Sequence, residues 1–429
     1  MESKLTLIQQ GPFRSFVYRD YRFVWIAATS SSIANWMLKT AIAWLILEIT
    51  HSPVLITFAF AVFAIPSIVI GPFAGVWSDK YSRKKLLVFV WIVSSVCSII
   101  LGLLVMADFQ GIWVIFLLTA LIGSSMPMVF ICSQTYIYDI VGPANALNGI
   151  SLWSLGLRLV GAGGAIIGGF IIESAGTYLA IFVAAIGYGV ACIAISAIRH
   201  VDAHVTSDDS SVFENLKSGL NVIRGSGLLI GVVILAIIAE AFGYGISAIF
   251  PILADEGVFA VGAFGLGIMN GAFGIGGVLG SIILAALRNL ERLGVLLVMV
   301  LMISGLLLLG LSLSTYFYLA VLIIGGIGLL MAGYDTLAIL IMQRSAPEGM
   351  RGRLTGVLVL TFGIGPAGHI LVIEVGGPQD FGKLVPNGTV VGLELGFGDK
   401  ADGGMAGLGP GLDRLMQQTR QQRQGSGPE

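Results

Sequence analysis

The chain has 429 residues, of which 56% are hydrophobic and 11% are charged, and its net charge is −1. Soluble proteins carry about a quarter charged residues, so a mean hydropathy of +0.94 excludes an ordinary soluble domain. The near-neutral charge gives no sign of nucleic-acid binding. The composition indicates a multispanning membrane protein, and we expect no cleavable signal peptide in its polar first twenty residues.

Eleven apolar segments are long enough to cross a membrane as helices, which takes about twenty residues each. The turn signal Gly142-Pro143 separates the fourth segment from the fifth. We call the segments spans 1 to 11, predicted at residues 23–47, 54–76, 86–107, 112–136, 146–172, 178–198, 228–253, 260–286, 294–313, 316–342 and 354–375.

A long polar connection at residues 199–227 follows the sixth span. Ser211 and Glu214 have the spacing of a capping box, and apolar residues follow at helical period. We therefore expect an amphipathic helix on the membrane surface here. This linker divides an N-terminal half, residues 1–198, from a C-terminal half, residues 228–375.

Basic residues alternate between successive connections. The connections after spans 1, 3, 5, 7 and 9 contain no lysine or arginine, whereas those after spans 2, 6, 8 and 10 do. By the positive-inside rule this pattern predicts a multi-pass protein of the inner (plasma) membrane with a cytoplasmic N-terminus. The basic residues are Lys80, Arg83, Lys84 and Lys85, then Arg199, Lys217 and Arg224, then Arg288 and Arg292, and finally Arg344, Arg351 and Arg353.

The C-terminal segment, residues 376–429, departs from this plan. It is glycine-rich and polar and contains no apolar run near twenty residues. We expect it to be disordered. Six spans, a linker and five further spans suggest that a twelfth helix is missing or replaced, through truncation or a frameshift, and a genuine eleven-span variant is the alternative.

The connection "GVWSDKYSRKK" carries five charges in eleven residues between two apolar spans. Its spacing resembles the signature loop between helices 2 and 3 of the major facilitator superfamily, with Ser82 where that pattern has a second glycine. The strings "YRDYRFVWIA" and "RGRLTGVLVLTFGIGPAGH" resemble the branch of enterobactin exporters and macrolide-efflux proteins. The residues that match the loop pattern are Gly75, Asp79, Lys80, Arg83, Lys84 and Lys85.

This resemblance implies an all-α membrane protein, a bundle of two pseudo-symmetric six-helix halves around a central cavity. It also implies a cytoplasmic gate. Asp79 would lie at the start of span 11, where a helix dipole favours a negative charge, and Arg83 would reach Asp139 at the end of span 4. Gly75 would allow close helix packing. The alternative is that the loop only sets the topology.

Four charged residues lie inside predicted spans, where each is costly in hydrocarbon: Lys39, Arg158, Glu240 and Asp335. The resemblance implies that spans 1, 4, 7 and 10 line the cavity. Glu240 is then the first candidate to carry a coupling proton, Asp335 the second, and Lys39 a candidate for substrate contact. Alternatively, Lys39–Glu240 and Arg158–Asp335, or another pairing, are structural ion pairs, and Lys39 snorkels.

Glycines in spans 5 and 8 have the small-residue spacing that allows close helix packing. Gly164, Gly168 and Gly169 in span 5 resemble a Gly-Pro-x-x-Gly-Gly element of antiporters, although alanine replaces the proline. Gly267 and Gly271 are four residues apart in span 8. We expect these glycines to form helix contacts.

These features predict a secondary transporter, most plausibly a monomer that exports a small amphipathic molecule, such as a drug or siderophore, in exchange for protons. Uptake, lysophospholipid flipping and a transport-inactive scaffold or receptor are the alternatives. The four histidines are scattered and no Walker motif is present, so we expect no enzyme activity, metal, cofactor, ATP use or nucleic-acid partner.

Overall fold

A computed structural model describes residues 12–199, 212–255, 258–286 and 292–346, together with residues 354, 357, 358 and 361. Within these residues ten helices are long and apolar enough to cross a membrane, which confirms predicted spans 1 to 10. Most of predicted span 11, the question of a twelfth helix and the segment 376–429 lie outside the described residues. The backbone of span 2 is described through Lys80, but the surroundings of Gly75 and Asp79 are not.

The ends of the spans lie within a few residues of their predicted limits. The linker contains the expected helix, Val212–Arg224. Spans 1 to 6 are Arg19–Thr50, Pro53–Lys80, Arg83–Met106, Ile112–Val141, Pro143–Ala175 and Thr177–Ser196, and spans 7 to 10 are Gly227–Ala254, Gly262–Ala286, Leu293–Ser312 and Phe317–Ser345.

Local chemistry explains where several spans begin. Prolines open spans 2 and 5, where the missing N–H has no helical partner to lose. Gly142 has a φ of 73°, a conformation that glycine adopts without steric cost, and this confirms the predicted turn at Gly142-Pro143. Ser82 caps span 3 by accepting a hydrogen bond from the Lys85 backbone N–H.

Spans 4 and 7 are not the continuous helices that the sequence predicted. Span 4 consists of Ile112–Gly123 and Ser125–Val141. Pro127 lacks the N–H that would bond the Gly123 carbonyl, so the helix breaks there. Span 7 changes from an α-helix to a π-helix at Ala239–Tyr244 and then to a 3₁₀ turn at Gly245–Ala248. Pro251 likewise leaves the Ser247 carbonyl without its helical donor.

Buried side chains form two hydrophobic clusters. One is built almost entirely from spans 1 to 6 and the other from the linker helix, spans 7 to 10 and residues 354 and 358. The Trp44 side chain, near the end of span 1, packs against both clusters. The two halves therefore have separate cores.

Span 8 lies between span 5 of the first half and span 10 of the second, and glycines permit both contacts. A methyl group on Gly267 would lie 2.7 Å from the Ala165 carbonyl oxygen in span 5. Gly276 and Gly280 instead face the backbone of span 10 at Gly325 and Leu329. Gly267 thus packs against span 5, whereas Gly276 and Gly280 pack against span 10. Both contacts are close because glycine has no side chain.

Candidate functional site

A polar cluster lies near the middle of the bundle, where side chains from spans 5, 7 and 10 meet. The Tyr244 hydroxyl donates a hydrogen bond of 2.5 Å to Oδ2 of Asp335. Nη2 of Arg158 lies 3.8 Å from the same oxygen. Glu240, four residues before Tyr244 in span 7, is only 7% exposed. We call these four residues the central cluster.

The π-helical turn of span 7 positions two members of the central cluster. Glu240 lies at its second residue and Tyr244 at its last. A π-turn is wider than an α-turn and often marks a functional site, and this one directs both side chains toward span 10. Gly243, between them, packs against the Met331 side chain of span 10. The irregular backbone is therefore tied to the placement of Glu240 and Tyr244.

Only one of the two carboxylate oxygens of Asp335 accepts a hydrogen bond from a described residue. Its Oδ1 atom is buried and has no hydrogen-bond partner among the described residues, whereas Oδ2 accepts from Tyr244 and faces Arg158. The Arg158 side chain is 40% exposed although it lies halfway along span 5. The central cluster contains two carboxylates and one guanidinium, so a proton on one carboxylate would make the cluster electrically neutral.

Lys39 lies apart from the central cluster. Its Nζ atom is 5.2 Å from the Trp36 ring centroid and 4.8 Å from that of Phe63. In the part of the chain that the structure describes, Lys39 forms no ion pair, so the Lys39–Glu240 pairing is absent there. The other suggested pair, Arg158–Asp335, is present and joins the two halves.

The two halves are in contact at one end of the bundle. We call the end that contains Lys80, Arg83 and Lys84 the basic end. At the opposite end Glu173 of span 5 accepts a hydrogen bond of 3.0 Å from the Ala263 N–H at the start of span 8. Gly262 has a φ of 63° and leaves room for the Glu173 carboxylate, which a methyl group would approach to 2.5 Å.

The face of span 5 that packs on span 8 continues toward the basic end. Positions 173, 169, 166, 162 and 158 follow helical spacing and contact span 8, and positions 155 and 151 continue the same face. Leu155 is 37% exposed and Ser151 is exposed as well. On this face Gly169 and Ala162 are buried, whereas Leu155 and Ser151, nearer the basic end, are exposed.

The family model described as Major Facilitator Superfamily matches residues 24–368 of this chain. The chain belongs to the major facilitator superfamily. Its fold class is therefore the one that the sequence predicted, and it is a membrane transporter with a small-molecule substrate. A search of curated proteins gave no match.

Solved structures of this superfamily have the same fold. A mutant of the nucleoside transporter NupG has a TM-score of 0.70 at 14% identity, covering 85% of this chain and 95% of its own. A bacterial homologue of the human lysosomal transporter Spinster gives 0.64 at 18% identity, covering 82% and 81%. A bacterial homologue of the iron transporter ferroportin gives 0.60 at 17% identity, covering 85% and 94%.

The superfamily loop between spans 2 and 3 holds the first half together at the basic end. Arg83 is only 3% exposed and forms an ion pair with Asp139 of span 4. Lys84 donates hydrogen bonds of 2.8 and 2.7 Å to the carbonyls of Ser196 and Ile198 at the end of span 6. Lys80 is exposed, and the surroundings of Gly75 and Asp79 lie outside the described residues.

The predicted helix-packing glycines of this superfamily transporter lie at helix contacts. Gly164 and Gly168 face span 1 at Ile33 and Met37, whereas Gly169 faces span 8. Gly267 and Gly271 face span 5. Span 5 therefore packs span 1 within its own half and span 8 across the halves.

Sequence reasoning did not identify Tyr244, which binds Asp335, or Glu173, which binds the start of span 8. Tyr244 follows Glu240 by four positions, so helical spacing could have indicated a shared face. Glu173 lies at the end of span 5, where a carboxylate is unremarkable in sequence. Nothing in its neighbourhood along the chain indicates the N-terminus of span 8 as its partner.

Proposed function

We propose that this transporter exports a small amphipathic molecule in exchange for protons. The observation that carries the proposal is the central cluster, in which the two carboxylates belong to the second half and the one arginine to the first half. A buried carboxylate that alternates between charged and neutral forms can couple proton movement to a conformational change. Glu240 is the main proton site in this mechanism, and Asp335 is the second.

The cluster provides a way to link protonation to the two halves. The Arg158–Asp335 pair joins span 5 to span 10 while Asp335 is charged. Protonation weakens this attraction and relieves the repulsion between Glu240 and Asp335. One proton therefore changes the balance between states in which the central cavity opens at one end of the bundle or at the other. That change is the basis of alternating access.

The orientation and the gate belong to the same proposal. The positive-inside rule predicts that the basic end of this plasma-membrane protein is cytoplasmic, so a cavity that opens at that end can receive a molecule to be exported. Asp79 would contribute to a latch that closes the basic end in the outward-open state. An Asp79→Asn variant should then shift accessibility labelling toward the cytoplasm-open state, and unchanged labelling would remove the latch.

Transport in reconstituted vesicles tests the exchange directly. The purified chain is placed in proteoliposomes with an imposed pH gradient, and the movement of fluorescent anionic, neutral and cationic amphiphiles is followed. We expect movement against the proton gradient and none after an uncoupler is added. Movement that follows the proton gradient would indicate uptake instead. Intact insertion without movement of any probe would favour a scaffold or receptor.

A further inference from the structure

Lys39 provides a second charged site inside the bundle, separate from the central cluster. Span 1 runs from Arg19 to Thr50, so Lys39 lies eleven residues, or about 16 Å, from the end opposite the basic end. Helical side chains lean toward the N-terminus of their helix, which here is toward the middle of the bundle.

The direction of the lysine side chain agrees with this expectation. Its Nζ atom lies over Trp36, three residues earlier in span 1, and over Phe63 of span 2. Ala34 packs on Gly187 of span 6, and Lys39 is rotated about 140° from Ala34 around the helix. Lys39 therefore points inward and away from span 6, and it does not snorkel.

The ammonium group lies beside a small apolar pocket between spans 1, 2 and 4, whose cavity volume of about 10 Å³ is roughly the space of one water. Besides Lys39 and Phe63, its lining comprises Ile42, Ala43, Ala59, Phe60 and Thr119. The Thr119 hydroxyl already donates to the Ile115 carbonyl in its own helix. Within the described part of the chain, no carboxylate pairs with Lys39, so the two rings are its charge-stabilising neighbours.

We infer that this pocket binds the anionic group of an amphipathic molecule, a carboxylate or a phosphate. The ammonium supplies the charge that an anion needs, since a lysine acts as a point charge for such groups. Because the pocket is this small, the spans must move apart before the rings and aliphatic side chains can accept the adjoining apolar part. The inference deepens the proposed function by naming a substrate class, and it rests on that function only in taking the occupant to be the exported molecule.

Binding of matched amphiphiles to the full chain in neutral detergent tests the site. Octanoate and octyl phosphate carry the anion, and 1-octanol has the same apolar tail without it. We expect both anions to bind at least tenfold more tightly than octanol. Lys39→Gln should abolish this difference, and Lys39→Arg should keep most of it. Equal binding of anions and octanol, or an unchanged preference in Lys39→Gln, would overturn the proposal.

A second variant separates the site from a folding defect. Phe63→Leu keeps the charge and removes one ring, and we expect it to weaken octanoate binding about threefold while the protein remains monodisperse. Unchanged anion binding in both Phe63→Leu and Lys39→Gln would also refute the pocket. Because the assay uses no proton gradient, a failure of proton-coupled export leaves its result intact.

A lipid headgroup and a free solute can carry the same anionic group, so a further comparison is needed to decide which of them occupies the pocket. Octanoate binding is compared in nanodiscs of phosphatidylcholine and of phosphatidylglycerol. Weaker binding in phosphatidylglycerol, seen with Lys39 but lost in Lys39→Gln, assigns the anion to lipid. Equal binding in both lipids, with the Lys39 dependence kept, assigns it to a free solute. Loss of the Lys39 dependence in both would reject the site.

Discussion

At the scale of single residues, the central cluster combines charges that are each costly inside a membrane. Glu240 is buried, and Asp335 has one oxygen bound by Tyr244 and another without a partner among the described residues. Such groups are retained where they perform a function or complete a polar network. The two roles can be separated by comparing variants that change charge with variants that change only a hydrogen bond.

The charge on Glu240 gives the first prediction. Glu240→Gln keeps the size of the side chain and removes its ability to carry a proton, so proton-driven export should fall at least tenfold. Substrate exchange without a gradient should persist. Transport in proteoliposomes with and without a pH gradient measures both quantities. Glu48→Gln, at an exposed carboxylate near the end of span 1, is the control, and undiminished gradient-driven export in Glu240→Gln would remove Glu240 from coupling.

The hydroxyl of Tyr244 gives the second prediction. Tyr244→Phe leaves the Asp335 carboxylate without its hydrogen-bond donor, so the protein should lose about 1–3 kcal/mol of stability. Tyr334→Phe is a matched control, because the buried Tyr334 hydroxyl has no partner among the described residues. Thermal unfolding in detergent measures the difference. Equal effects of the two substitutions would show that the Tyr244–Asp335 bond adds no stability.

At the scale of helices, the contact between spans 5 and 8 closes the end of the bundle opposite the basic end. A methyl group on Gly169 would lie 2.5 Å from the Ala263 carbonyl oxygen, a backbone atom that cannot move alone. The same helix contains Gly163, which has open space at its Cβ position. A methyl group would therefore clash at Gly169 but not at Gly163, six residues earlier in the same helix.

Substitution at these two glycines gives the third prediction. Gly169→Ala should destabilise the structure by about 1–3 kcal/mol through overpacking, and it should favour separation of the halves at the closed end. Gly163→Ala should be neutral or slightly stabilising, since alanine is the better helix former. Thermal unfolding and cysteine labelling at the closed end measure the two effects. Identical behaviour of the variants would contradict the close contact.

At the scale of the whole molecule, the distribution of basic residues predicts the orientation. Lys80, Arg83, Lys84 and Lys85 lie together at the basic end of the first half. The positive-inside rule places the basic end in the cytoplasm. The connections after spans 1, 3 and 5 are therefore predicted to face the outside.

Labelling from each side of the membrane gives the fourth prediction. A cysteine in place of Asp108, between spans 3 and 4, should react with an impermeant reagent in intact cells. One in place of Lys85 should react only after permeabilisation, because it lies at the basic end. The unmodified chain, whose Cys97 and Cys132 are buried, sets the background. Labelling of both positions from the same side would contradict the topology.

The sequence by itself determined the spans, the linker helix, the superfamily and the four intramembrane charges. These depend on runs of apolar residues and on local spacing, because lipid requires each helix to satisfy its own backbone hydrogen bonds. The tertiary structure alone decided which charges meet and that Glu173 reaches the start of span 8. Those outcomes depend on contacts between residues far apart in the chain, which a local pattern does not contain.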